Sequence, residues 1–283
     1  MKRILHRALR RGRAVPAFNF YNLESLSAIV AAAAGAPVIL AASESAIRYM
    51  GSGFASWAAK NHPLHLDHGK TFESCKNAIA IGFQSVMIDG SHLSFAENVR
   101  LTRRVVEYAH KRGVWVEAEL GAIGGAEDEV RAHADDFTDP LQAKKFVEST
   151  GCDSLAIAIG TSHGAYKRIH GKGLRFDILK EVRRLLPKTP LVLHGASQIP
   201  QKYAAALGLK KAGGIPAAEV RRAVLAGINK VNVDSDARLA WAAAMKKMFA
   251  RKTDDFDPRR YLSAASAEMA ELYRKEIRLI SGS

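Results

Sequence analysis

Eight short apolar, β-rich runs recur along this chain with helical patterns between them, and this alternation restricts the fold more than any other feature. They occupy residues 14–20, 37–43, 63–68, 85–89, 115–120, 154–159, 191–194 and 228–234, each bounded by Gly, Pro or polar turns. Runs that are apolar on both faces suit strands covered from two sides. Parallel neighbours need a crossover, usually a helix, and eight such units close a barrel. Between the runs, residues 23–34, 95–111, 141–149 and 217–225 place apolar side chains at helical spacing. The expected fold is therefore α/β: a single (β/α)8 TIM barrel over residues 1–283, with extra C-terminal helices at 239–250 and 261–280 separated by a turn at 254–258. Those two helices would close the barrel or make subunit contacts. No linker or low-complexity stretch divides the 283 residues, and 48% apolar content supplies one large core. Two spacings are tight. The first run reaches the second through a helix of about three turns and Gly35, and the segment between Ser43 and Pro63 is also short.

Chemistry gathers at one end of these runs. Asn19, Ser43, Asp67 with His68, Asp89 with Ser91, Glu119, His163, His194 with Ser197, and Asn232 with Asp234 all stand at or just after a run's C-terminal end. In a barrel that end carries the active site. Three histidines lie there in glycine-flanked contexts: Asp67-His68-Gly69, Ser162-His163-Gly164 and Leu193-His194-Gly195. Imidazoles from three strand ends make an open metal site with a fourth position for water or substrate.

Forty-two Lys and Arg against 28 Asp and Glu give a net charge of +14. Scattered through helices, without interleaved aromatics and with only 7% aromatic residues overall, these charges read as a solvated basic surface rather than a nucleic-acid footprint. Cys75 and Cys152 are too few for a disulfide framework, which fits a reduced, cytoplasmic protein. The start is basic (Lys2, Arg3, Arg7, Arg10, Arg11, Arg13), but the barrel pattern begins directly after Arg13, and neither a signal-peptide core nor a membrane span is expected.

In sequence order the motifs resemble those of class II, metal-dependent fructose-bisphosphate aldolases over essentially the whole chain. The resembling segments are Ala17-Phe18-Asn19, Pro37-Val38-Ile39-Leu40, Leu64-His65-Leu66-Asp67-His68-Gly69, Ser85-Val86-Met87-Ile88-Asp89-Gly90-Ser91 and Glu117-Ala118-Glu119-Leu120-Gly121. They continue through Gly124-Gly125, Thr138-Asp139-Pro140, Gly160 to Gly164 with Lys167, His194-Gly195-Ala196-Ser197, and Val231-Asn232-Val233-Asp234-Ser235-Asp236.

The resemblance implies a lyase that reversibly cleaves fructose 1,6-bisphosphate to dihydroxyacetone phosphate and glyceraldehyde 3-phosphate, a step of glycolysis and gluconeogenesis. His68, His163 and His194 would hold zinc, or cobalt in its place, with a monovalent cation as a further possibility. Asp67 is implied as the general base at the C4 hydroxyl, and an orienting role for the neighbouring histidine is its alternative. Asp89 and Glu119 either line a second, more buried metal position or orient the histidines. Glu127 would exchange the C3 proton, or is simply a solvated loop carboxylate. Gly164, Lys167, Gly195 and Ser197 would cradle one phosphate. Ser235 and Arg238 would reach the other, while Asn19 and Asn232 bond substrate oxygens. Arg259 matches an arginine that relatives contribute from a neighbouring subunit, or is a surface residue. His65, two residues before Asp67, reads as a packed support. A homodimer or homotetramer acting on small sugar phosphates follows, without nucleic acid or membrane as partner.

Some features depart from the family. Gln198 stands where a small or acidic residue is usual, the helices after the first two strands look trimmed, and the charge is unusually basic. The nearest rival activity is tagatose 1,6-bisphosphate cleavage, which differs at the C4 epimer. In the resembling families the position of Asp234 is acidic in fructose enzymes and small in tagatose enzymes, which favours fructose. An amidohydrolase-type barrel would need a histidine pair in the first run, and a Schiff-base aldolase a lysine at the end of the sixth; neither is present. A non-catalytic basic barrel that binds nucleic acid is motivated by the charge alone.

Overall fold

The eight runs become eight parallel strands of a closed barrel in this computed structural model. It describes residues 1–121, 124–127, 130–132, 137–164, 173–251 and 256–282, with backbone only for 124–127, 130–132 and His163. In chain order the elements are α1 (Lys2–Arg10), β1 (Val15–Asn19), α2 (Leu23–Ala33), β2 (Ile39–Ser43), α3 (Glu44–Met50), α4 (Ser52–Asn61), β3 (Leu64–Gly69), α5 (Phe72–Ile81), β4 (Ser85–Ile88), α6 (Phe95–His110), β5 (Trp115–Leu120), β6 (Gly124–Glu127) and β7 (Val130–Ala132). They continue as α7 (Pro140–Thr150), β8 (Ser154–Ile157), β9 (Ser162–His163), α8 (Phe176–Leu185), β10 (Leu191–Leu193), α9 (Gln201–Leu207), α10 (Ala217–Leu225), β11 (Ile228–Val233), α11 (Ser235–Phe249) and α12 (Pro258–Ser281). The barrel order is β1-β11-β10-β8-β5-β4-β3-β2, and β7, β6 and β9 form a separate small sheet. No described helix is long and apolar enough to cross a membrane.

The helix boundaries follow local chemistry. Asn22 and Ser25 form a capping box at α2, and Ser94 and Glu97 one at α6. Asp139 before Pro140, and Asp257 before Pro258, start α7 and α12 with a carboxylate on an orphan amide and a proline in the first turn. Three boundaries differ from the sequence expectation. α11 begins at Ser235, directly after β11, instead of near residue 239. The stretch between β2 and β3 holds two helices, α3 and α4, separated by Gly51. The basic start is itself a helix, α1: Leu5 and Ala8 pack on Val15, Ala17, Ile39 and Trp115, plugging the N-terminal mouth of the barrel. At the rim α12 runs along α2 and α11, and the fully buried Tyr273 ring lies 4.5 Å from Phe18.

Candidate active site

Strand geometry alone would point Asp67 and His68 to opposite faces. The ladder between β3 and β4 shifts register between Leu66 and Gly69, and His68 takes a left-handed φ of 48°. This bulge turns both side chains into the same bowl, at a backbone strain that fixed surroundings must hold. Gly69 is required behind it, since a Cβ there would lie 2.7 Å from the Met87 carbonyl oxygen. Gly195 plays the matching part after β10: its φ is 61°, and a Cβ would stand 2.7 Å from the Ser162 oxygen. That close approach brings the backbone of β9 against the His194 loop.

β3 and β10 are diametrically opposite in the barrel order, yet His68 Nε2 and His194 Nδ1 meet at 2.9 Å. The outer nitrogen of each ring is engaged by a carboxylate: His68 Nδ1 donates to Asp89 at 2.8 Å, and His194 Nε2 donates to Glu117 at 3.0 Å. Those partners fix both tautomers and leave the two inner nitrogens as ligand atoms converging on one point. A tetrahedral zinc with nitrogens at about 2.0–2.1 Å needs them a few tenths of an ångström further apart, so the pair fits such an ion after slight opening. With no ion, one proton serves between the rings. Burial opposes charge on His68, but Asp67 and the Asp89 hydrogen bond outweigh it and raise its pKa to about 10. Burial takes His194 down to about 4, against the opposing pull of Glu117.

Asp67 also lies in this group, with a carboxylate oxygen within 4.8 Å of both imidazole ligand atoms. One of its oxygens accepts from Asn19 Nδ2 at 2.8 Å and the other from Asn232 Nδ2 at 2.9 Å. Burial works against its charge, but the positive field of His68, His194 and Lys230 holds the pKa below the usual carboxylate value. The two asparagines thus orient the carboxylate. Their own Oδ1 atoms are buried and lack a hydrogen-bond partner among the described residues, which leaves them for a ligand. A small cavity between these groups is lined by Asp67, His68, His194, Gly195, Ser197, Asn232 and Asp234.

Asp89 accepts from Ser91 as well as from His68, and its pKa is depressed although burial pushes the other way. Glu119 is the opposite case: burial, with the neighbouring Asp89 charge, raises its pKa well above the ordinary value. A second set of possible ligand atoms comes from His68, Asp89 and Glu119, and Glu119 Oε2 has no hydrogen-bond partner among the described residues. Asp89 is thus hydrogen-bonded to His68 in this arrangement, while Glu119 lies buried behind it with its ionisation disfavoured.

Below the histidines is a polar layer that sequence reasoning missed. Lys230 Nζ donates to both oxygens of Glu117, at 2.7 and 2.8 Å, and to His65 Nε2 at 3.0 Å, while His65 Nδ1 donates to Ser85 Oγ at 2.8 Å. Burial and the Lys230 charge lower His65 to about 3, which favours a neutral imidazole packed between Lys230 and Ser85. The signal for Lys230 was present: it lies two residues before Asn232 on β11 and so shares its inward face.

Asp234 stands at the end of β11 and accepts from Arg238 Nε at 2.8 Å, and Ser235 opens α11 as a buried residue. Ser197 is buried in the loop after β10, and Gly164 follows β9 with φ 85°. Arg259 is exposed and paired with Asp257 at 2.8 Å, away from this bowl's lining. The side chains of His163 and Glu127, and all of Lys167, lie outside the described residues.

The family described as class-II fructose-bisphosphate aldolase matches residues 1–283. A fructose-bisphosphate aldolase of Treponema pallidum is 42% identical over 316 aligned residues, covering 100% of this chain and 95% of its own length. One of Thermus caldophilus is 44% identical, covering 98% and 95%. The solved structure of a putative fructose-1,6-bisphosphate aldolase from Coccidioides immitis superposes with a TM-score of 0.84 at 30% identity, covering 99% of this chain and 95% of that one. A bulged Asp-His pair, a facing histidine across the barrel and a match from end to end agree: the chain belongs to the class II fructose-bisphosphate aldolase family.

Proposed function

We propose that this chain is a zinc-dependent aldolase that reversibly splits fructose 1,6-bisphosphate into dihydroxyacetone phosphate and glyceraldehyde 3-phosphate. The observation that carries the reading is the pair of opposed imidazoles whose outer nitrogens are held by Asp89 and Glu117 while their inner nitrogens converge beside Asp67. His68 and His194, with His163 as third ligand, would hold zinc, and cobalt would serve in its place. When bound, the metal acts as a Lewis acid that stabilises negative charge on the ketose oxygens. The chain's own residues supply the rest. Asp67, oriented by Asn19 and Asn232, takes the C4 hydroxyl proton as the C3–C4 bond breaks, so that C4 leaves as an aldehyde and the bonding pair stays with the dihydroxyacetone phosphate half. Glu127 is the group we assign to returning a proton at C3.

The free amide oxygens of Asn19 and Asn232 face the substrate. Gly164, Gly195 and Ser197 with Lys167 take one phosphate, and Ser235 at the start of α11 with Arg238 takes the other. The Asp234 carboxylate, tied to Arg238, meets the C4 region and favours the fructose over the tagatose epimer. A monovalent cation near the phosphates, a homodimer or homotetramer in which Arg259 completes a neighbour's site, one domain over 1–283 and a cytoplasmic setting complete the proposal.

A coupled assay on fructose and tagatose bisphosphates, with and without a chelator, tests it. Cleavage of the fructose substrate should stop on chelation and return with zinc or cobalt. Activity that survives exhaustive chelation, or a faster reaction with tagatose bisphosphate, overturns the corresponding part.

A further inference from the structure

The aldolase reaction leaves the basic N-terminus unexplained. Residues 1–13 carry Lys2 and five arginines and no acidic residue. Several surface arginines elsewhere have carboxylate partners: Arg103 with Glu107, Arg175 with Asp177, Arg184 with Glu181 and Arg274 with Glu271. Arg3, Arg7 and Arg11 differ. They recur every fourth residue along one face of α1 and its C-cap, and none of their side chains makes a hydrogen bond or ion pair among the described residues. With Arg13, whose guanidinium is tied to the Ser281 and Gly282 carbonyl oxygens, they line a cavity of about 530 Å³. No described carboxylate lines it, and apart from Ser281 its remaining wall is small and apolar, with Ile4 and Val15 the bulkiest members. It opens beside the first residues of β1, at the barrel pole opposite the histidine bowl.

We propose that this groove is a binding site for a small ligand that carries two or more consecutive phosphates. Four guanidiniums around one cavity match a compact group of several negative charges, because each can pair two phosphate oxygens in a planar fork. The volume is that of a small-molecule pocket. The chain offers no aromatic side chain there for stacked bases. Inorganic triphosphate and a nucleoside triphosphate share the recognised chemistry; only the second would use the apolar wall.

Titration calorimetry of the full chain with sodium triphosphate and with adenosine triphosphate, at low salt and at 0.15 M, reads the site directly. Both ligands should bind once per chain. The triple substitution Arg3→Ala, Arg7→Ala, Arg11→Ala should weaken binding at least tenfold, with an unchanged KM for fructose bisphosphate. Arg7→Glu should weaken it further than Arg7→Ala. Tighter binding of the nucleotide assigns a role to the apolar wall, and equal binding assigns recognition to the phosphates alone. The proposal is overturned by absence of saturable binding, by affinity that survives the triple substitution, or by competition with substrate at the catalytic pole. It is also overturned if a single-stranded oligonucleotide binds through these arginines while triphosphate does not. The substituted side chains are exposed, and Leu5 and Ala8 still seat α1, so the variants keep the fold on which the comparison depends.

Discussion

Asp67 and His68 are neighbours in sequence that do different things, and their environments separate them. Asp67 hangs between two asparagine amides, whereas His68 is committed on both nitrogens. Asp67→Asn keeps the size but cannot accept a proton. Turnover should fall on the order of 10²-fold or more while bound zinc, measured by atomic emission, stays near one per chain. Near wild-type turnover would reduce Asp67 to an orienting residue. His68→Ala or His194→Ala should instead lose metal along with rate. Glu117→Gln tests the layer beneath: without its charge His194 is a weaker ligand, and zinc affinity read against a chelating dye should drop roughly 10–100-fold. Unchanged affinity would make Glu117 a partner of Lys230 only. At this scale the sequence was legible where a polar residue ended a strand, because strand ends collect chemistry. The pairing of Glu117 with Lys230 was harder to read: both lie mid-strand, and although spacing puts Lys230 on the inward face, only the fold shows the carboxylate that balances its buried charge.

The elements show the same division. All eight barrel strands could be read from their apolar runs, and α2, α6, α7 and α10 from their apolar periodicity, since those signals are local. α1 could not, because its four Lys and Arg side chains mask the few apolar residues that plug the barrel. Nor could the support that α12 gives to the loop after β10. There Gln198 Nε2 donates to both Glu276 oxygens, at 2.6 and 2.7 Å, and Asp236 accepts the backbone amides of Gln198 and Ile199, at 2.8 and 2.6 Å. Ile199 holds a φ of 54° at the end of this loop. The unusual glutamine thus couples the Gly195–Ser197 segment to the C-terminal helix.

Glu276 carries a pH signature. Burial, reinforced by the Asp236 charge and opposed by Gln198, pushes its pKa up to about 8. A carboxyl with a raised folded pKa contributes stability that is fully present below its unfolded pKa of about 4.3 and is lost as pH rises through the folded value. The wild type should therefore lose stability between about pH 4.3 and pH 8, and Glu276→Gln should remove that part of the slope. Thermal unfolding at pH 5 and pH 9 measures it. The variant should gain on the wild type by several degrees at the higher pH, and a constant difference between the two would mean that Glu276 is ionised throughout.

For the whole molecule, the position of the histidines in the barrel order has a mechanical consequence. β3 and β10 are separated by three strands in either direction, so an ion held by His68 and His194 ties opposite walls of the barrel at its open end. The ladder closes the wall all round, but across the barrel the described links are side-chain contacts, among them the Lys230–Glu117–His65 layer, the Asn232–Asp67 hydrogen bond and the histidine pair. Binding to the folded state alone raises its stability by RT ln(1 + [L]/Kd), about 4.1 kcal/mol at a thousandfold excess over Kd. At about 2–4 °C per kcal/mol for chains of this size, saturating zinc should raise the melting temperature by roughly ten degrees over the chelated protein. The increment should vanish in His194→Ala and persist in Asp67→Asn, since the second keeps both imidazoles. A melting temperature indifferent to zinc, or one that rises equally in His194→Ala, would place the ion somewhere other than across the barrel.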